Sequence, residues 1–404
     1  MASSDWKKNL YVMFVAEFVV ITGFSFIQPF VPLFVQQLGT FSENEAALWS
    51  GIAIGGSSIA LFISGPFWGI ISDKVGRKPM VLRALFGSAV VQSLAALSPN
   101  IYVFIALRFL QGLFSGTVPA ASALVASGTP REKVPYAMGL VMVGVFMGNT
   151  IGPSIGGVLA SVFGYRDSFY IASAMLVIAA FLVVFLVKED FHRPVKESNW
   201  GDVWKLLHSK TILPLLLTIG VVALSQNVVQ PIIALFIQQL NPAGNAATSA
   251  GFAFTALGLV AAISSVVVGR WGRRFELRTV LIISCIGAIL TYLSPAFVYT
   301  VPLVIVLVGL MGLFQGANVT CTSSLISYSL PIQQQGIAYG LGQSATSLGN
   351  GLGPILGGVL GTLLGLRWVF AVASGLFLIA CILVTRFIHR QPDFTAEPHV
   401  VADG

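Results

Sequence analysis

The sequence predicts an all-α integral membrane protein whose twelve transmembrane helices form two pseudo-symmetric halves of six. Three observations carry this. Of 404 residues, 56% are hydrophobic and 9% charged, against about 25% charged in a soluble domain. Twelve stretches are apolar over the ~18 residues that a bilayer crossing needs: 10–37, 49–72, 79–98, 101–126, 135–163, 168–187, 211–238, 249–271, 279–297, 300–328, 336–364 and 367–388. The second six echo the first at offsets of 200–202 residues.

The first stretch is too long for the ~7–15-residue core of a signal peptide, so it reads as a span that stays. The net charge of +7 suits nucleic acid only until its placement is read. Of 22 Lys and Arg, 19 fall at the termini or in the connections after spans 2, 4, 6 and 8; Arg166 and Arg367 lie on the other side, and Arg108 inside a span. That bias places both termini in the cytoplasm of a multi-pass inner or plasma membrane protein. The charge orients the chain in a bilayer, and no nucleic-acid partner is expected. Cys285, Cys321 and Cys381 stand in apolar spans without ligand spacing, so neither metal nor cofactor is expected. The four histidines lie in loops or the tail, and no phosphate-binding Gly-Lys-Ser/Thr loop occurs, which argues against an enzyme and against ATP drive.

The divisions are an N-terminal half over 1–187, a central cytoplasmic loop over 188–210, a C-terminal half over 211–388 and a tail over 389–404. Within the loop, Trp200, Val203, Trp204 and Leu207 have the spacing of a short helix lying on the membrane. Gln28-Pro29 returns as Gln230-Pro231, Gly51 and Gly69 as Gly251 and Gly269, and Gly112-Leu-Phe-Ser-Gly116 as Gly312-Leu-Phe-Gln-Gly316. The Gly164, Arg166, Phe169 corner returns as Gly365, Arg367, Phe370. Parallel repeats of this kind set a binding site between the halves near the midplane.

In span 1, Glu17 is the one acidic residue well inside a span, about 10 Å from its cytoplasmic end at 1.5 Å per residue. An intramembrane charge costs roughly 2.5–3.5 kcal/mol, so it faces a cavity or a partner, unless it snorkels to the interface. A carboxyl there could hold either a proton or a cationic substrate, and that exclusion is the core of antiport. Span 2 runs into Gly69-x-x-x-Asp73-Lys74-x-Gly76-Arg77-Lys78. Asp73 at a helix C-terminus needs a cation, Lys74, Arg77 or Lys78, or a neighbouring helix N-terminus. Gly76 suits a left-handed turn. Span 4 carries Arg108, the deep basic residue, able to tune a carboxylate or simply to tie helices through carbonyls or Gln111.

Span 5, from Gly139 to Gly157, sets Gly144, Gly148, Gly152 and Gly156 on one face, with Pro153 bending it. Span 11 repeats this as Gly340, Gly349, Gly353-Pro354 and Gly357-Gly358. Gly148 with Gly152, and Gly349 with Gly353, are expected to form smooth contacts along which the halves rock. Gln28, Asn149, Gln226, Asn227, Gln230, Asn318, Gln343 and Asn350 are the polar span residues expected around an otherwise apolar, aromatic cavity.

These motifs resemble the major facilitator superfamily. The run from Gly69 to Lys78 looks like its loop 2–3 signature; Gly139-x8-Gly148-x3-Gly152-Pro153-x2-Gly156-Gly157 is similar to its antiporter motif; Arg108-x-x-Gln111-Gly112 and Pro29-x-x-Pro32 resemble its span 4 and span 1 motifs. Trp6 to Leu10, Ser64 to Gly69 and Lys188 to Phe191 resemble the MdtG-like multidrug efflux group of the twelve-span drug:proton antiporters. Glu17-Phe18 instead resembles span 1 of MdfA-like antiporters, which bear a second acid at the place of Ser25. The resemblance implies a monomeric secondary transporter using alternating access. It would export lipophilic small molecules, cations among them, against protons, with Glu17 and Arg108 in coupling and Asp73 latching the cytoplasmic side. The rival keeps the fold and changes the cargo to one metabolite, sugar or lipid.

Overall fold

The computed structural model describes residues 6–130, 133–189, 208–209, 212–271, 276–329 and 332–388. The expected surface helix around Trp200–Leu207 and the tail lie outside these.

Twelve helices or helix pairs are long and apolar enough to cross a membrane, and no strand occurs among the described residues. In the first half they are Trp6–Phe26 continued by Val31–Gln37, then Glu43–Val75, Arg77–Ala96, Ile101–Phe114 continued by Thr117–Gly128, Val134–Phe163 and Tyr165–Leu186. In the second half they are Ile212–Val228 with Gln230–Leu240, Ala246–Trp271, Leu277–Leu293 with a 3-10 turn, Val301–Ser329, Ile332–Leu364 and Leu366–Phe387. Spans 1 and 7 break at the repeated Gln-Pro, where proline removes a helical N–H and disfavours the α conformation of the residue before it. Large apolar side chains such as Phe185, Leu363 and Val162 cover the outside, as a lipid-facing surface requires.

Local chemistry closes the ends. Ser42 and Glu45 form a capping box at the start of span 2, with Glu45 Oε2 accepting from Ser42 N at 2.9 Å. On the side away from the termini (the far side), Gly164 and Gly365 turn with φ of 87° and 85°, a conformation that favours glycine. The arginine that follows each one caps a neighbouring span. Arg166 donates to the Ala96 and Ser98 carbonyls at 2.7 and 3.1 Å, and Arg367 to Ala296 O at 3.0 Å.

Within the first half span 1 packs on 5, 2 on 4 and 3 on 6; within the second, 7 packs on 11, 8 on 10 and 9 on 12. Between the halves, span 2 meets span 11 and span 5 meets span 8. Here the glycines correct the sequence reading. A Cβ at Gly148 would stand 2.8 Å from Thr22 N, one at Gly152 2.9 Å from Thr22 O, and one at Gly156 2.8 Å from Phe26 Cα, all in span 1. Gly349 and Gly353 face Leu224 and Asn227 of span 7 in the same way. The period-four faces are therefore seams within each half, because spans 1 and 7 occupy the side they point to. The contacts between halves fall to glycines off that face: Gly157 against Ala247 and Thr248, Gly358 against Ala47 and Leu48, Gly51 against Pro354, and Gly251 against Pro153. Among the described residues, Gly139 and Gly340 approach nothing closely. These contacts run from the far side to mid-membrane, ending near Ile59–Gly351 and Thr150–Gly258, so the far side is closed. Ser154 joins in with its backbone N–H and its hydroxyl, donating to Thr255 Oγ1 at 3.2 and 2.7 Å.

Candidate functional site

A cavity of about 210 Å³ lies between the halves where the helices break. Gln28 and Gln230 reach it from the Gln-Pro breaks of spans 1 and 7, with Asn227 and Asn350 beside them. Asn227 Nδ2 donates to Asn350 Oδ1 at 2.9 Å and to Ala223 O at 2.8 Å, tying span 7 to span 11. Phe24, Val31, Ile54 and Leu61 supply apolar wall, and span 4 adds Arg108, Gln111, Gly112 and Ser115. A larger hollow of about 450 Å³, beside Gln239 and Arg367, is a depression at the far-side corner and holds none of these groups.

Four of the eight expected cavity residues thus line it: Gln28, Asn227, Gln230 and Asn350. The other four do not. Asn318 is fully buried and takes the hydroxyl of Ser284, so it serves the packing of spans 9 and 10. Asn149 and Gln343 are exposed, and Gln226 is half-buried with its Nε2 unpartnered.

Span 4 breaks in a way its counterpart does not. Gly116 takes φ 109° and ψ 32°, whereas Gly316 sits inside the continuous helix Val301–Ser329. Two side chains satisfy the carbonyls freed by the break. Trp68 Nε1 donates to Leu113 O at 2.7 Å, and Arg83 Nη2 to Ser115 O at 3.3 Å, with the Arg83 guanidinium 3.8 Å from the Trp68 ring centroid. The places 200 residues on hold Val268 and Ile283, which can do neither. Arg83 corrects the reading of Arg108 as the lone intramembrane cation: it lies inside span 3, although by sequence it counts with the basic turn.

Arg108 is buried at 9% exposure; its Nη1 donates to Gln111 Oε1, and Gln111 Nε2 donates to Gln92 Oε1. Glu17 is 1% exposed, about 16 Å from Trp6 at 1.5 Å per residue, with Oε2 unpartnered. A snorkelling carboxylate would be exposed; this one is enclosed. It is not among the cavity's lining residues. Ser25 donates to Gly148 O at 2.9 Å and stitches span 1 to the proline-bent span 5.

The basic turn is organised by groups that its motif does not contain. Gly76 has φ 109° with ψ 166°, a positive-φ extended turn rather than a left-handed helical one. Glu189, after span 6, accepts from Arg77 N at 2.7 Å and Lys78 N at 2.8 Å, capping span 3. Lys78 Nζ returns the cap, donating to Val184 O and Val187 O at 2.9 and 2.7 Å. Lys78 is therefore committed to span 6. Asn9 holds Lys188 by two bonds, Nδ2 to Lys188 O at 2.7 Å and Lys188 N to Oδ1 at 3.1 Å, which positions Glu189. Arg77 donates to Ser72 Oγ at 3.1 Å, and Lys74 is exposed. The side chain of Asp73 and the surroundings of Gly69 lie outside the described residues. Glu189→Gln should lower the melting temperature in detergent, by a loss of about 1 kcal/mol, the usual worth of a charged cap. An unchanged melting curve would reduce the paired caps to a surface contact.

Two six-helix halves, closed against each other on one side around a polar-lined cavity, define a membrane transporter, not an enzyme. The chain belongs to the Major Facilitator Superfamily, whose model matches residues 13–241 and 215–400. It is 32% identical to the multidrug resistance protein MdtG of Klebsiella pneumoniae (strain 342), over 98% of each chain. It is 32% identical to that of Escherichia coli (strain K12 / DH10B), over 96% of each. Among solved structures, it is similar to a bacterial homolog of the human lysosomal transporter Spinster, in an inward-facing and occupied conformation. That likeness has TM-score 0.82 and 15% identity, over 95% of this chain and 97% of that one. The nucleoside transporter NupG matches with TM-score 0.77 and 13% identity, over 95% and 100%.

Proposed function

We propose that this protein exports lipophilic small molecules of the multidrug kind for which its relatives are named, in exchange for protons, as a monomer with both termini in the cytoplasm. The basic bias of the terminal side supports the orientation. With that orientation, a closed far side makes this the inward-facing state, and the turn carrying Asp73 acts as a latch in the alternate state.

The observation that carries the proton coupling is Glu17, an enclosed carboxyl deep in span 1 with an unpartnered oxygen. Ionised, it bears a penalty of about 2.5–3.5 kcal/mol that the proton removes, so the two forms favour different packings of span 1. Because Glu17 stands off the cavity wall, proton and substrate are coupled through conformation and do not compete for one carboxylate. The expectation of cationic substrates loses its anchor for the same reason.

The test is efflux in everted vesicles with an imposed proton gradient. Substrate-dependent proton movement is expected in wild type and lost in Glu17→Gln. Full coupling in the mutant would move the proton to another group. Failure to move any lipophilic compound would favour a dedicated carrier of one metabolite, sugar or lipid.

A further inference from the structure

Among the described residues, Arg108 is the one charged side chain on the cavity wall, and no carboxylate lines it. From this we infer that the cavity recognises compact amphipathic organic anions, with Arg108 as the counter-ion of a carboxylate, sulfonate or phosphate head. The inference rests on the export reading and names its substrate class.

Three features of the wall support it. First, Arg108 is satisfied only by neutral groups. Its Nη1 donates to the Gln111 amide oxygen, Gln111 passes its own amide N–H to Gln92, and Arg108 Nε has no partner. Among the described residues Arg108 makes no ion pair. A guanidinium held out of water without a counter-charge is costly, and an occupant carrying negative charge relieves that cost. The Gln92–Gln111 relay fixes the guanidinium against the wall, so its fork is organised before the occupant arrives.

Second, the break in span 4 adds positive potential at the same place. Ser115 lines the cavity, and the twelve-residue helix Thr117–Gly128 starts just beyond it, presenting its positive end. Behind Ser115 stands Arg83, whose Nε and Nη1 are buried without partners. Third, Phe24, Val31, Ile54 and Leu61 give the wall an apolar stretch, with the neutral polar groups of Gln28, Gln230, Asn227, Asn350, Ser57 and Ser58 around it. A flat apolar body suits the former and an acidic head suits Arg108.

The test uses the full chain in lipid nanodiscs, with binding measured over empty nanodiscs and no gradient applied. Three probes are compared: anilinonaphthalene sulfonate, its uncharged analogue phenylnaphthylamine, and the cation tetraphenylphosphonium. The wild type should bind the sulfonate at least about tenfold more tightly than the uncharged analogue, and the cation least, as expected for one charge-assisted contact. Arg108→Gln should erase the ratio between sulfonate and analogue, and Arg108→Lys should keep part of it. If Arg108→Gln yields no folded protein, the order of the three probes in wild type and in Arg108→Lys decides. Binding the cation as well as the sulfonate, or a sulfonate preference that survives Arg108→Gln, would overturn the inference and leave export of lipophilic compounds standing. Binding none of the three would overturn both.

Discussion

Gly157→Ala should insert and fold but transport about 10- to 100-fold more slowly, because the added methyl meets the span 8 backbone across the gap between the halves. Its Cβ would stand 3.1 Å from the Ala247 carbonyl carbon and 3.2 Å from Thr248 Cα, and closer still to the Ala247 oxygen. None of these can swing aside as a side chain tip would. Overpacking of this kind costs about 1–3 kcal/mol, and the cost falls on the far-side-closed state alone. Gly358→Ala should behave alike, since its Cβ would lie 2.7 Å from Leu48 Cα on the pseudo-symmetric contact. The readout is a cysteine placed at Thr255, in a background without Cys285, Cys321 and Cys381, labelled by an impermeant thiol reagent from the far side. Labelling should rise in both variants. Unchanged labelling with full transport would mean that the halves close without this contact.

One residue away the outcome should be different in kind. Gly156→Ala puts its methyl 2.8 Å from Phe26 Cα and against the Phe26 carbonyl oxygen, in the seam between spans 5 and 1. That seam belongs to one half and persists in every state of the cycle. The penalty, about 1–3 kcal/mol or more, therefore falls on folding. A lower melting temperature and loss of monodisperse protein on size exclusion are expected, with Gly357→Ala parallel through Val228. A Gly156→Ala protein as stable as wild type yet unable to transport would show that the seam moves during the cycle, and the division between the two glycines would fall.

Much of the architecture is legible in the residues because it rests on local properties. Apolar length marks the spans, and Gln28-Pro29 with its copy marks where spans 1 and 7 break. Half of the polar cavity set was also legible, since Gln28, Gln230, Asn227 and Asn350 lie at or beside those breaks. Asn318 looks identical in sequence but turns toward Ser284, a partner 34 residues away. Asn9 and Glu189 fall in stretches that resemble the MdtG-like group, but nothing in those stretches shows what the two residues cap. Their work as caps depends on span 6 ending beside the start of span 3.

The sequence by itself determined the membrane, the twelve crossings, the repeat, and the presence of an acid, Glu17, and an arginine, Arg108, inside spans of the first half. All of these follow from composition and spacing along one chain segment. Only the tertiary structure decided which of two adjacent glycines seals a half and which meets its opposite. It also decided that span 4 breaks at Gly116 while span 10 runs straight through Gly316, and that Arg108, not Glu17, stands on the cavity. Each outcome is settled by atoms from another span: the span 1 backbone beside Gly156, the span 8 backbone beside Gly157, Trp68 and Arg83 at the break. Periodicity says which residues share a helix face, and the neighbour packed on that face decides what it does.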